Sequence, residues 1–237
     1  KCASLERMVF DRIIFVGDSA HVVSPFGARG GNGGMHDVDN LGWKLASILK
    51  NSSSEKILST FNDERIEAAK ENIANSSRAT NFMTPKNKMA KIFRDQVLDL
   101  SLNNQFFRNL INSGRLSVPF KLGGLKLDNE FKDDPLLGSI YVDFPILDRK
   151  GNRLFLTDVI ANSFNLLSFS KIKREFPNYL NIISVGEKSN QDVDFVDFEG
   201  KGLERYRLDL NYLIRPDGYI VGIFKEINTK ILEKCML

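Results

Sequence analysis

Residues 13–43, reading IIFVGDSAHVVSPFGARGGNGGMHDVDNLGW, constrain this chain more than any other stretch. Ile13, Ile14, Phe15 and Val16 run into Gly17-Asp18, the pattern of a buried parallel strand that stops abruptly. A loop with glycines at 27, 30, 31, 33 and 34 and one proline, Pro25, follows. Met35, Val38, Leu41, Leu45 and Ile48 then recur at helical spacing. Strand, carboxylate, glycine-rich turn and helix together suit a polar cofactor held at the carboxyl edge of an open sheet. Tight packing alone would also account for such a loop.

Each residue type has a physical reason to be there. Gly17 permits a sharp turn, which leaves Asp18 at the strand's tip. An ionised carboxylate there only accepts hydrogen bonds, so it suits a ligand rich in hydroxyls, such as a ribose or ribityl chain. Gly30 to Gly34 form a run of bare N–H groups at an expected helix start, where the first four donors lack intrahelical partners and attract negative charge. Pro25 stiffens its segment and offers a carbonyl but no N–H. His21, taken singly, reads as a structural histidine bonded within the loop.

These residues also carry a family resemblance. Gly17-Asp18-Ser19-Ala20-His21, then Pro25-Phe26-Gly27-Ala28-Arg29-Gly30-Gly31-Asn32, then Asp37-x-x-Asn40-Leu41-x-Trp43-Lys44-Leu45 closely resemble the second FAD-binding motif of class A flavoprotein aromatic hydroxylases. That superfamily contains the para-hydroxybenzoate and phenol hydroxylases. Leu58-x-x-Phe61-x-x-Glu64-Arg65 fits the signature of the following helix. Pro85-Lys86 to Arg94-Asp95 is similar to the branch of 3-(3-hydroxyphenyl)propionate hydroxylase-like proteins.

The resemblance implies an α/β chain: the C-terminal segment of a Rossmann-like FAD domain, then a thioredoxin-like α/β domain. It implies FAD as cofactor, NAD(P)H as co-substrate, and O2-dependent hydroxylation of a small aromatic, phenolic substrate. By the family's motif Asp18 bonds the ribityl hydroxyls, the N–H groups near Gly31 and Asn32 face the flavin pyrimidine edge, and Pro25 lies beside the isoalloxazine. Gly17, Asp18, Pro25, Arg29, Gly30, Gly31 and Asn32 are the implied cofactor-binding residues. Arg29 either favours the anionic flavin or faces solvent. Ser24 stands where some relatives carry a second proline, which puts the loop's rigidity in question. No residue is assigned as catalytic.

A class A hydroxylase opens with a βαβ unit carrying Gly-x-Gly-x-x-Gly, whose helix start binds the FAD pyrophosphate. Gly27-x-x-Gly30-Gly31-x-Gly33 lies in a different context, after the Asp18 loop. The chain therefore reads as a C-terminal portion whose partner is the missing N-terminal Rossmann and substrate half. Two other readings stand beside this one: a non-catalytic remnant or structural module that no longer binds FAD, and another FAD oxidoreductase of the same superfamily.

Composition narrows the remaining classes. The 237 residues carry 33 basic and 30 acidic side chains, a net charge of +3 with no basic block, which is no nucleic-acid signature. No run of about 18 apolar residues suggests a membrane span, and residues 1–6 contain no signal-peptide core, so a cytoplasmic location is expected. The two cysteines, Cys2 and Cys235, form no redox pair, and two histidines are too few for most zinc sites, so no metal is expected. Free thiols are the default.

Three segments are expected along the chain. Residues 1–115 form the FAD-domain segment with its following helices, over residues 55–82, 87–100 and 104–111. Leu58, Phe61, Ile66, Ala69 and Ile73 line the inner side of the first of these, whereas Glu64, Glu67, Lys70 and Glu71 fall on a solvated face. Ser54 is the expected N-cap and Gly114 a later C-cap. Residues 116–134 form a linker whose apolar Val118, Phe120, Leu122 and Leu125 suggest that it lies against the first domain. Residues 135–237 form the thioredoxin-like domain without a Cys-x-x-Cys pair, with strands over 163–169 and 180–185, two more flanking Arg215-Pro216-Asp217-Gly218, and a last helix over 226–237. Arg215 reads as a turn residue bonded to local carbonyls rather than as a substrate clamp. This domain is expected to cover the FAD domain or to contribute to a homodimer.

Overall fold

The structure, a computed structural model, describes residues 2–25, 29–50, 53–111, 119–123, 131–172, 176, 180–187 and 192–226. Gly27, Gly114, Val118, Leu125, Cys235 and the expected helix beyond residue 226 lie outside the described residues. The chain forms two compact units, Lys1–Phe120 and Lys121–Leu237.

The first unit opens with short strands: β1 (Ala3–Ser4), β2 (Val9–Phe10) and β3 (Ile13–Ile14). A 3-10 turn, Gly17–Ser19, and β4 (His21–Val22) follow. The expectation of a buried parallel strand over residues 13–16 is not met. β3 is two residues long, pairs antiparallel with β2, and leaves Ile13 62% exposed. The reason is local: Asp11, at φ 53°, reverses the chain so that β2 becomes the partner, and the Phe15 N–H continues the pairing by donating to the Met8 carbonyl at 2.9 Å. β1 pairs antiparallel with β4.

Four helices follow: α1 (Arg29–Leu49), α2 (Ile57–Met83), α3 (Lys88–Ser101) and α4 (Gln105–Ile111). Asn87 caps α3 by accepting from the Ala90 N–H at 2.8 Å, which satisfies one of the helix's orphan donors. Ser54 is not the cap of α2, since Lys56 occupies that position. Ser54 instead closes the preceding turn, its Oγ accepting from Lys56 N–H at 3.3 Å and its carbonyl from Ile57 N–H at 3.0 Å. Met8, Val9, Ala20, Phe61, Ile66 and Ala69 form a small core, flanked by Ile14, Phe15, Val16, Leu41 and Leu58. The Met8 and Val9 N–H groups, left over from the hairpin, both point at Asn62 Oδ1 on α2. None of the helices among the described residues is long and apolar enough to cross a membrane.

The second unit is built on β5 (Pro145–Asp148), β6 (Arg153–Phe155), β7 (Phe164–Ser168), β8 (Leu180–Gly186), β9 (Phe195–Val196), β10 (Asn211–Ile214) and β11 (Ile220–Phe224). Short helices α5 (Leu156–Val159) and α6 (Lys201–Arg205) lie between them. The seven strands form one sheet in the order β11-β10-β7-β8-β9-β5-β6. β7 and β8 are parallel, and β10 and β11 continue antiparallel beyond β7. That run of four is the thioredoxin-like arrangement, and the expected strands fall on it. Phe144, Ile146, Leu167, Phe169, Ile183, Tyr206, Tyr212 and Ile223 belong to its core. The Tyr206 hydroxyl reaches back to Val142, accepting from its N–H and donating to its carbonyl. Burial pushes that phenol's pKa up.

Two expectations for this region change. Leu122 is packed within the second unit, its N–H donating to the Gly138 carbonyl at 2.8 Å. Arg215 is a turn residue, but its guanidinium grips the Asp217 carboxylate, with Nε to Oδ1 at 2.9 Å and Nη2 to Oδ2 at 2.6 Å. Both side chains are buried in the β10–β11 turn, where a charge is tolerable only when paired.

Candidate functional site

The helical recurrence of Met35, Val38, Leu41, Leu45 and Ile48 divides on α1: Leu41 packs against the small core of this unit, whereas Met35, Val38 and Leu45 turn outward. Met35 is 72% exposed and Val38 61%. The buried side is Arg29, Gly33, Asp37, Asn40 and Lys44, again at spacings of three and four. Charges can face inward here because α2 supplies their counterparts.

Asp37, fully buried, is the hub of this polar interior. Its Oδ2 accepts from the Gly17 N–H at 2.9 Å and lies 2.6 Å from His21 Nε2, while its Oδ1 accepts from Arg65 Nε at 2.7 Å. Burial pushes its carboxyl pKa up, but the His21 bond, the Arg65 charge and the Gly17 N–H outweigh that and hold it below the usual range. His21 is therefore structural, as expected, but bonded to α1 rather than within its own loop. Gly33 leaves room for it, since a Cβ there would lie 3.2 Å from His21 Cε1.

A second cluster lies further along α1. Lys44 Nζ donates to Asn40 Oδ1 at 2.9 Å and to Glu64 Oε2 at 3.0 Å, and Asn40 Nδ2 reaches the same Glu64 oxygen at 2.8 Å. Glu64, expected on a solvated face, is thus half of a largely buried ion pair. Sequence reading had the signal, the adjacent Glu64-Arg65, but gave neither residue a role.

Facing solvent beside this interior is an open groove of about 860 Å3, lined by Val16, Gly17, Gly31, Asn32, Gly34, Met35, His36, Val38 and Asp39. Its two walls are the Gly17 turn and the first turns of α1. Gly17 takes φ +57°, where only glycine is unstrained, and a Cβ on Gly34 would sit 3.4 Å from the Gly17 Cα. Gly31 and Asn32 lie in the first turn of α1, at the positive end of the helix dipole.

Of the seven sequence-predicted residues, Gly17, Gly31 and Asn32 line this groove. Asp18 is exposed on the 3-10 turn next to Gly17, and Pro25 is exposed on the loop before α1. Gly30 packs toward Val23. Arg29 does not face solvent. It is buried, and its Nη1 donates to Asn72 Oδ1 on α2 at 2.5 Å. Ser24 gains the restraint that a proline would have given: its Oγ accepts from Thr80 Oγ1 at 2.7 Å and its carbonyl from Ser76 Oγ at 3.1 Å.

The groove fits the group that the motif implies. A Cβ on Gly31 would meet nothing within 4 Å, so this glycine keeps the space before the helix start clear. Helix N–H groups, an exposed carboxylate and a bare glycine wall together suit an anionic, hydroxyl-rich ligand.

Comparison with known proteins agrees. Residues 2–76 match the FAD binding domain family. The chain is 28% identical, over 167 residues, to the 3-(3-hydroxy-phenyl)propionate/3-hydroxycinnamic acid hydroxylase of Klebsiella pneumoniae (strain 342), covering 69% of this chain and 30% of that protein. With the Burkholderia cenocepacia (strain HI2424) enzyme of the same name it shares 33% identity over 96 residues, 40% of this chain and 18% of that protein. Among solved structures, the flavin-dependent monooxygenase PieE, in complex with FAD and substrate, superposes with a TM-score of 0.75 at 16% identity, covering 99% of this chain and 49% of that one. Aklavinone-11 hydroxylase, in a ternary complex with FAD and aklavinone, gives 0.71 at 21% identity, over 99% and 44%. The match thus spans 18–30% of these curated relatives' length and under half of these solved chains.

Proposed function

We propose, for a chain that belongs among the FAD-dependent aromatic hydroxylases, that it is the C-terminal portion of a cytoplasmic monooxygenase which hydroxylates a phenolic substrate with NAD(P)H and O2. The observation that carries this reading is the groove between the Gly17 turn and the glycine-rich start of α1. Gly31 and Asn32 would present backbone N–H groups to the electron-rich edge of the flavin, and Asp18 would accept from its hydroxyl chain. Pro25 would lie beside the ring. When bound, FAD supplies the electron transfer and oxygen activation. The chain's own residues contribute a positive helix end and a preformed wall.

The reading includes a partner segment that carries Gly-x-Gly-x-x-Gly and the substrate pocket. Two facts support it: the chain covers 30% of its Klebsiella relative, and the exposed Met35 and Val38 continue the groove wall as an apolar face.

Fluorescence titration with FAD tests the proposal. Saturable binding is expected, to the 237-residue chain alone or mixed with the Gly-x-Gly-x-x-Gly segment of the Klebsiella relative, weakened at least about tenfold by Asp18→Ala with unchanged thermal stability. Absence of saturable binding in both preparations would overturn it.

A further inference from the structure

We infer that Asp37 is the positioning residue of the flavin-facing turn, holding the groove at its working width before any ligand arrives. The consequence for FAD rests on the function proposed above, whereas the effect on the turn does not. One wall of the groove is Gly17, and the other is Gly31, Asn32 and Gly34 on α1. The distance between the walls is set from behind. Asp37 projects from α1 and accepts from the Gly17 N–H at 2.9 Å, so the helix that carries one wall holds the other by its backbone. Gly17 and Gly34 lie so close that a Cβ on Gly34 would come within 3.4 Å of the Gly17 Cα, which limits how far the walls can close, and the Asp37 bond limits how far they can part.

The carboxylate is itself immobilised. His21 Nε2 from β4 lies 2.6 Å from the oxygen that takes the Gly17 bond. Arg65 holds the other oxygen at 2.7 Å and extends an Nη2 to the Gly33 carbonyl at 3.4 Å. Asp37, His21 and Arg65 are each at most 3% exposed, so water does not compete for these bonds. Three segments, the Gly17 turn, β4 and α2, converge on this α1 side chain, and among the described residues the only backbone N–H that it takes belongs to a groove wall. A group needed only to neutralise Arg65 would have no use for that bond. The left-handed Gly17 conformation, which lacks support from regular strand pairing, is thereby fixed.

The test uses the whole chain without FAD first. Asp37→Asn leaves the Arg65 cation buried without its counter-charge and is prone to unfold, so Asp37→Asn/Arg65→Met, which removes both charges, is the informative variant. Site-resolved amide hydrogen exchange is read at Gly17 and across α2. Loss of a charge-assisted bond should speed exchange at Gly17 by about tenfold or more, with α2 amides changed by less than about threefold. Equal acceleration throughout the unit, or an unchanged Gly17 amide, would overturn the inference. FAD titration of the same variant then separates the two readings. A tenfold or greater loss of affinity at unchanged α2 protection supports both. If neither wild type nor variant binds FAD while Gly17 responds, the FAD reading falls and the positioning role stands.

Discussion

Two glycines on facing walls of the groove should respond to the same substitution with opposite sign. Gly31 lies in the first turn of α1 at ordinary backbone angles, and an added Cβ meets nothing within 4 Å. Alanine there removes glycine's excess backbone entropy and should stabilise the unit by about 0.5–1 kcal/mol, a rise in Tm of roughly 2–5 °C. Gly17 sits at φ +57°, and its added Cβ would be 3.8 Å from the Gly34 Cα, an ordinary contact. Gly17→Ala therefore costs only the left-handed strain, about 1–2 kcal/mol. The chain's single tryptophan, Trp43, lies in the first unit, so its fluorescence during thermal unfolding reports that unit without interference from the sheet domain. Gly31→Leu extends the experiment, because its side chain would project toward the groove, so that variant should remain folded while FAD affinity falls at least about tenfold. A lowered Tm for Gly31→Ala would refute the reasoning, since it would mean that the space beside the helix start is already filled. Full FAD affinity in Gly31→Leu would mean that the ligand does not use this wall.

Lys44→Met should destabilise the first unit by about 3 kcal/mol, the lower end of the range for breaking a buried pair, because the Glu64 side chain keeps 13% exposure. Adding Glu64→Gln should recover most of that loss in urea unfolding followed by circular dichroism. Gly138→Ala should cost the second unit more than about 3 kcal/mol, since it combines a φ of +78° with a Cβ 2.3 Å from the Leu122 carbonyl oxygen. Gly151→Ala, at φ +83° in open space, should cost only about 1–2 kcal/mol. Asp37 has its carboxyl pKa held below the ordinary value of 3.8, so its contribution is fully present above about pH 4 and is lost as pH falls through the lowered value. Trp43 unfolding midpoints should accordingly drop more steeply below pH 4 in the wild type than in Asp37→Asn/Arg65→Met.

The sheet of the second unit was legible because its strands are short, mostly apolar stretches: β7 lies within the expected 163–169, β8 runs one residue beyond the expected 180–185, and Gly218 adopts the positive φ that its turn needs. Strands of two to four residues, such as β5, β6 and β9, are too short to show a period, and they went unread. In the first unit the glycine turn and the start of α1 were read from motif and chemistry together. The direction of α1 was not. Periodicity finds stripes, and this helix has two, Met35-Val38-Leu41-Leu45-Ile48 and Gly33-Asp37-Asn40-Lys44, both at spacings of three and four. Apolarity favours the first as the core face. Burial goes to the second because Glu64 and Arg65 arrive from the next helix, 20 positions from Lys44 and 28 from Asp37 respectively. Arg29 escaped for the same reason, its acceptor Asn72 lying 43 positions on. The strand expected at residues 13–16 failed locally, since a reversal at Asp11 gave it an antiparallel neighbour.

The ionic seam between α1 and α2 acts as a register lock. Apolar helix faces can slide past one another by a turn, about 5.4 Å, and still bury similar area. Here Asp37 must meet Arg65 while Lys44 meets Glu64, and Arg29 must meet Asn72. A one-turn slip would break all of these at once and leave charges stranded in the interior, so no intermediate alignment is supported. The two helices therefore travel as one body, and any movement that opens or closes the groove has to come from whatever packs against α1 rather than from sliding within the pair.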